Sequence, residues 1–206
     1  RTLYELLCEH DQLGDPPICY NTLVRLVHQE KLLPDSRRTD ARKRFETGDI
    51  NELWVCDFMH GPTVHVSDRG KQRRAKAILC ATIDDHSRMI VGKSFTVSET
   101  VSVLLVVMKG SLLTFGLPKR LYVDNGPAFS SDLLAAACAR LGISLIHSKP
   151  YDSPSRGKIE RFFRTVRDRF LATLDEDLSL DQLNDAFDAW LQDDYHHQVH
   201  GGIDAR

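Results

Sequence analysis

The sequence predicts an α/β layered domain, a mixed five-stranded sheet flanked by helices, preceded by a small helix-turn-helix-like segment. Three observations carry this. Short apolar runs bounded by turn residues recur at Leu53–Met59, Ala77–Ile83, Met89–Phe95, Lys119–Val123 and Ile143–Ile146, as strands of a buried sheet do. Between and after them, Glu99–Phe115, Ser131–Leu141 and the segment from about Gly157 read as helices, which is the alternation of a layered α/β domain. Finally, Asp57 falls inside the first strand, Asp124 at the end of the fourth, and Glu160 in the first turn of the helix after the last.

Composition narrows the class. Hydrophobic residues make up 42% and charged residues 27% of the 206, which is ordinary for a soluble domain with an appendage. No apolar run approaches the roughly 20 residues of a membrane span, so no membrane partner is expected. The five cysteines lack paired spacing and read as reduced structural thiols, which points to the cytoplasm. The chain opens on Arg1, which is not a natural start, so a fragment of a longer protein is expected, with most end recognition upstream.

A net charge of −2 does not announce a nucleic-acid binder, but its distribution does more than its sum. Arg37–Arg44 holds five basic residues and one acid, Arg69–Lys76 five and none, and Arg156–Arg169 six against Glu160 and Asp168. Asp175–Asp194 carries eight acids and no Lys or Arg, and masks these patches. Each patch is by itself compatible with a solvated face; together they suit a phosphate backbone.

In chain order, residues 1–34 form a partial helix-turn-helix-like segment. A helix over residues 2–10 is broken by the turn-rich DQLGDPP, and a second, YNTLVRLVHQEKLL, has Asn21 or Thr22 as N-cap, an apolar face of Leu23, Leu26 and Val27, and Arg25 outward. A hairpin that merely packs on the core is the alternative. Residues 35–50 read as a basic linker, in which Arg42, Lys43 and Arg44 are candidate phosphate contacts. Residues 51–206 form the main domain. Its first strand is expected to run on through GPTVHVSDRGKQRRA as a second strand piece and a basic loop, Asp84 and Asp85 shape a hairpin turn, and Gly116 and Gly142 stop helices. His147–Arg156, with two prolines, reads as a mobile loop. Ile159, Phe162, Phe163, Val166 and Phe170 then share one helix face, with Glu160, Arg164 and Arg167 on the next. A last helix over Leu180–Leu191 uses Leu183, Phe187, Trp190 and Leu191.

A buried Asp in an apolar strand needs a partner: a hydrogen bond or salt bridge is one, and a divalent metal is another. Mg²⁺ or Mn²⁺ takes oxygen ligands from one or two carboxylates, water and substrate phosphate. Asp57, Asp124 and Glu160, with 35 residues between the last two, are therefore the candidate catalytic and metal-binding set.

These residues resemble the D,D(35)E pattern of retroviral integrases and bacterial insertion-sequence transposases. The surrounding words are similar too: ELWVCDF, IDDHSR, YVDNGPAF, SPSRGKIERFFRTVRDRF and the tail DAWLQDDYHHQVHGGI, with His200 at the family's histidine position. The resemblance covers roughly residues 45–203. It implies an RNase H-like fold, a DDE recombinase (a polynucleotidyl transferase), two Mg²⁺ or Mn²⁺ ions in the active complex, and a homo-oligomer on DNA, both element ends and target duplex. Asp57 would bridge the ions, Asp124 hold one and Glu160 the other; Lys158, Arg161, Arg164 and Arg167 would meet phosphates, Lys158 and Arg161 from less favourable helix angles. An ATPase partner for target choice is left open, and the location implied is the bacterial cytoplasm, at the nucleoid. Two departures stand out: His196 follows Tyr195 where the family often has Asn, and no His-His-Cys-Cys zinc spacing occurs near the N-terminus. Three rivals remain: a nuclease of this fold that never joins strands, a catalytically inactive transposase-derived DNA-binding protein, and a regulator acting through residues 1–33 alone.

Overall fold

The computed structural model describes residues 18–29, 47–68, 70–148, 153–174 and 177–198. The chain divides into two units, Arg1–Arg44 and Phe45–Arg206. In the first, helix α1 spans Tyr20–Gln29, with Cys19 accepting the amides of Thr22 and Leu23, and Arg25 exposed. The helix expected over residues 2–10 and the linker residues Arg42, Lys43 and Arg44 lie outside the described residues.

The second unit holds the sheet. Its strands are β1 (Leu53–Asp68), β2 (Lys71–Asp84), β3 (Ile90–Thr96), β4 (Arg120–Val123) and β5 (Ser144–His147), in spatial order β3-β2-β1-β4-β5. The first three pair antiparallel, and β4 runs parallel to both β1 and β5. Alternation along β1 explains the two layers. Leu53, Val55 and Met59 pack with α4 (Ser153–Thr165) and α5 (Leu180–Asp193), while Trp54 and Cys56 pack with α2 (Val101–Phe115) and α3 (Asp132–Arg140). Among the described residues no helix is long and apolar enough to cross a membrane.

Helix α2 forms despite its many valines because both ends are specified. Thr100 accepts the Val103 amide, and Gly116, at φ 88°, ends the helix where a side chain would be strained. The five-residue stripe of α4 behaves as its spacing predicts: Ile159, Phe162, Phe163, Val166 and Phe170 are all buried, the last reached through a π-helical turn at Val166–Phe170. Gross transfer energy for such a stripe is on the order of 10 kcal/mol, an upper estimate before chain entropy.

Two expectations are corrected. The tract after Met59 holds the expected strand piece, but its basic part is a strand and not a loop. It is one long hairpin, because a bulge between His60 and Thr63 lets β1 continue to Asp68 while β2 begins at Lys71. In addition, α4 starts at Ser153 rather than near Gly157. Pro154 fits the first helical turn, where the missing N–H has no partner to lose.

Close packing of β3 on α2 rests on Gly92. A Cβ there would lie 2.3 Å from Ser111 Oγ and 3.2 Å from Val107 Cγ1, and the Ser111 hydroxyl donates to Val107 O. Gly92→Ala should therefore destabilise by about 1–3 kcal/mol, lowering Tm by roughly 2–4 °C per kcal/mol. Ser111→Ala in the same chain should restore part of the loss. An unchanged Tm for the single variant would show that this contact is loose.

Candidate active site

Parallel pairing of β1 with β4 places the first two acids. Trp54 pairs with Leu121 and Val55 with Tyr122, and the same register carried two residues on sets Asp57 level with Asp124. Neighbouring strands lie roughly 4.8 Å apart, so the carboxylates stand side by side at the edge where β4 ends. Asp57 is only 7% exposed. Burial pushes its carboxyl up from the ordinary value, against the opposing pull of Arg156 and of the Phe58 amide, which donates to Oδ1 at 2.9 Å.

Asp124 is held by the turn that follows it. The Gly126 amide donates to Asp124 Oδ1 at 2.8 Å, and Asn125 Nδ2 donates to Ser148 O at 2.9 Å. A Cβ on Gly126 would meet Asp124 Oδ1 at 2.9 Å, so glycine is required for this close approach.

A residue the sequence reading did not single out stands between the two acids. Arg156 Nη2 lies 2.6 Å from Asp57 Oδ2 and 3.8 Å from Asp124 Oδ2. Its own burial works against the charge, but Asp57, Asp124 and Glu160 outweigh that and hold its pKa above the ordinary value. Glu160 sits one helical turn after Arg156 on α4 and is exposed. Thus Asp57 and Asp124 converge on one cation with Glu160 in its field. Among the described residues no three His, Cys, Asp or Glu side chains are gathered closely enough to hold a metal ion. Two carboxylates that already bracket a cation, with all-oxygen donors, fit a hard divalent ion. Here the Arg156 guanidinium occupies the space between them.

The IDDHSR hairpin positions α4. Asp84 shapes the turn as expected, its Oδ1 accepting from the amides of His86 and Ser87 and from Ser87 Oγ. Asp85 does something else. It is fully buried, with Lys158 Nζ 2.6 Å from its Oδ1 and Thr47 N and Oγ1 each donating to Oδ2 at 3.2 Å. This corrects the expectation for Lys158. Its ammonium braces α4 against the hairpin instead of facing a phosphate, and only 13% of its side chain is exposed. Arg161, Arg164 and Arg167 are exposed; Arg156, Glu160, Arg164 and Arg167 follow one another along one face of the helix. His196 accepts from the Ile90 amide at 3.4 Å, beside buried Tyr195, so the residue that departs from the expected Asn caps the start of β3.

Comparison with known proteins bears directly on this geometry. The integrase core domain model matches residues 49–153, which include Asp57 and Asp124, and a second integrase core domain model matches 141–206, which include Glu160. The chain belongs to the integrase core domain family. It is 28% identical over 177 residues to the transposase for transposon Tn552 of Staphylococcus aureus, covering 77% of this chain and 36% of that protein. Among solved structures, the catalytic core domain of BIV integrase superposes with a TM-score of 0.56 at 20% identity, covering 74% of this chain and 89% of that one. The HTLV-2 integrase catalytic core domain in complex with magnesium, in a dimeric form, gives 0.53 at 20%, covering 78% and 94%. The mixed sheet flanked by helices is thus the RNase H-like fold of these integrase cores. The chain spans about a third of the length of the Tn552 transposase.

Two outcomes test the site's supports. Asp85→Ala or Lys158→Met removes one half of a buried ion pair and should each cost up to about 3–5 kcal/mol in denaturant unfolding, with the double variant losing less than the sum. Strict additivity would contradict the brace. Gly126→Ala should shift the Asp124 carboxylate and weaken Mn²⁺ binding roughly 10–100-fold while Tm stays nearly constant, as isothermal calorimetry and melting curves would show.

Proposed function

We propose that the chain is the catalytic core of a DDE transposase that cuts DNA at element ends and joins the freed strand to a target duplex. The observation that carries this is the convergence of Asp57 and Asp124 on a single cation, with Glu160 one turn along the helix that supplies it. Asp57, Asp124 and Glu160 would hold the divalent ions, two in the active complex; such ions activate an attacking oxygen and stabilise a leaving one in an in-line displacement.

The chain's own groups do the rest. Asp57, buried in the sheet, gives a fixed negative charge in a poorly solvated place, where electrostatics are strong. Arg156 keeps the two carboxylates apart and compensated until a stronger cation enters. Arg164 and Arg167, further along the same face as Glu160, are placed for backbone phosphates; Arg161, one residue round the helix, and Arg25 on α1 are candidates for the flanking duplex. Water attacks one phosphodiester and releases a 3′-hydroxyl. That hydroxyl then attacks a target phosphodiester and displaces its 3′-oxygen. Both steps exchange one phosphate ester bond for another oxygen, so no Ser or Tyr nucleophile is needed. Action as a homo-oligomer on DNA is part of this reading and is supported by likeness to an integrase core seen in a dimeric form.

Glu160→Gln preserves shape and removes charge. It should lower divalent-dependent cleavage and joining of element-end DNA by more than about 100-fold, beyond the loss typical of an outer-shell partner, while duplex affinity in EDTA stays within about twofold. Normal catalysis by this variant would remove Glu160 from the site. Offering water and a target duplex together separates a transposase from a nuclease of the same fold, because only the former yields joined product.

A further inference from the structure

The hairpin β1–β2 runs well past the rest of the sheet. β3 pairs with β2 only from Ile78 to Ile83, and β4 pairs with β1 only from Leu53 to Val55. Beyond the bulge, Thr63–Asp68 and Lys71–Lys76 pair only with each other along the ladder, as a two-stranded ribbon whose connection includes Gly70 at φ 81°. Lys71, Arg73, Arg74 and Lys76 are all exposed on it. Alternation puts Lys71 and Arg73 on one face and Arg74 and Lys76 on the other. Among the described residues, no ion pair engages any of the four. In register, Asp68 lies opposite Lys71, whereas Val66, His65 and Thr63 lie opposite Arg73, Arg74 and Lys76, so only one of the four basic residues has an acidic residue opposite it on the ladder.

Direction and length give the ribbon a purpose. β1 runs parallel to β4, so it leaves the sheet on the side where Asp124 follows β4, which is the active-site edge. From Asp57 to Asp68 is eleven residues, or about 36 Å of strand at 3.3 Å per residue. One turn of B-DNA is about the same length. The bulge places two residues, Gly61 and Pro62, against Ala77, which turns Val64 into the core and tilts the ribbon. Its base is held: the His65 amide donates to Leu178 O at 2.9 Å, and His65 Nε2 lies 2.7 Å from Asp177 Oδ1. In a chain of net charge −2, this is a locally basic arm.

We propose that the β1–β2 ribbon is a duplex-DNA arm, seated in a groove within about one helical turn of the scissile phosphate, with Lys71, Arg73, Arg74 and Lys76 on the flanking backbones. A major groove admits a two-stranded ribbon, and basic side chains on both faces suit the two strands that wall it. The inference rests on the DNA reading above and adds a contact that the active site does not contain.

The test uses the full chain in EDTA with a 40-bp duplex of arbitrary sequence, measuring anisotropy from 50 to 200 mM salt. Each phosphate contact contributes about −0.9 to the slope of log affinity against log salt. Replacing Lys71, Arg73, Arg74 and Lys76 with Gln should make the slope shallower by about 2–4, and the face pairs Lys71/Arg73 and Arg74/Lys76 by about half of that each. The pairs keep the test usable if the fourfold variant folds poorly. Wild-type binding with an unchanged slope in the variants overturns the arm alone. An equal loss on a 40-nucleotide single strand overturns the duplex assignment. No wild-type binding to any DNA overturns the transposase reading together with the arm.

Discussion

A carboxylate inside a sheet must be compensated, and the organisation of this site follows from how Asp57 meets that demand. It lies within β1, almost removed from water, and an isolated charge there would be heavily penalised. Parallel pairing with β4 brings Asp124 alongside, which worsens the repulsion and makes a cation obligatory. The third element, α4, delivers one: Arg156 contacts both acids, and Glu160 follows it by one turn. The arrangement is an ion-pair cluster assembled by three separate elements around the Arg156 guanidinium.

Precision at such a site depends on how α4 is fixed. Its apolar stripe supplies most of the packing but specifies rotation and height only loosely, since aliphatic and aromatic contacts are non-directional. The buried Asp85–Lys158 pair adds direction, because a mispositioned helix would strand two charges. Asp85 in turn depends on the hairpin that Asp84 closes by accepting three hydrogen bonds on one oxygen. One short turn therefore links the antiparallel half of the sheet to the helix carrying Glu160.

Much of this was legible in the sequence, and the reasons are specific. Apolar runs bounded by turns gave all five strands, the i, i+3, i+4 stripe gave α4, and the pattern Asp57, Asp124, Glu160 gave the candidate acids, because periodicity and spacing are written in the chain itself. What escaped depended on partners remote in sequence. The basic tract after Met59 resembled a loop because only the cross-strand ladder makes Lys71–Lys76 a strand. Lys158 reads as a phosphate contact in the sequence because helical angle does not reveal Asp85 across the fold. Arg156 reads as part of a loop in the sequence; a Ser-Pro helix start at Ser153 puts it four residues before Glu160 on the same face, and that is the signal the chain offers.

Anomalous diffraction from crystals of the chain soaked in Mn²⁺ tests most directly whether the acids form a cation site. The account predicts a peak between Asp57 and Asp124, with the Arg156 guanidinium displaced from its 2.6 Å contact with Asp57. Arg156 still seated between the two carboxylates, with no peak there at saturating Mn²⁺ and with DNA bound, would contradict it: the cluster would then be a structural ion pair, not a catalytic centre.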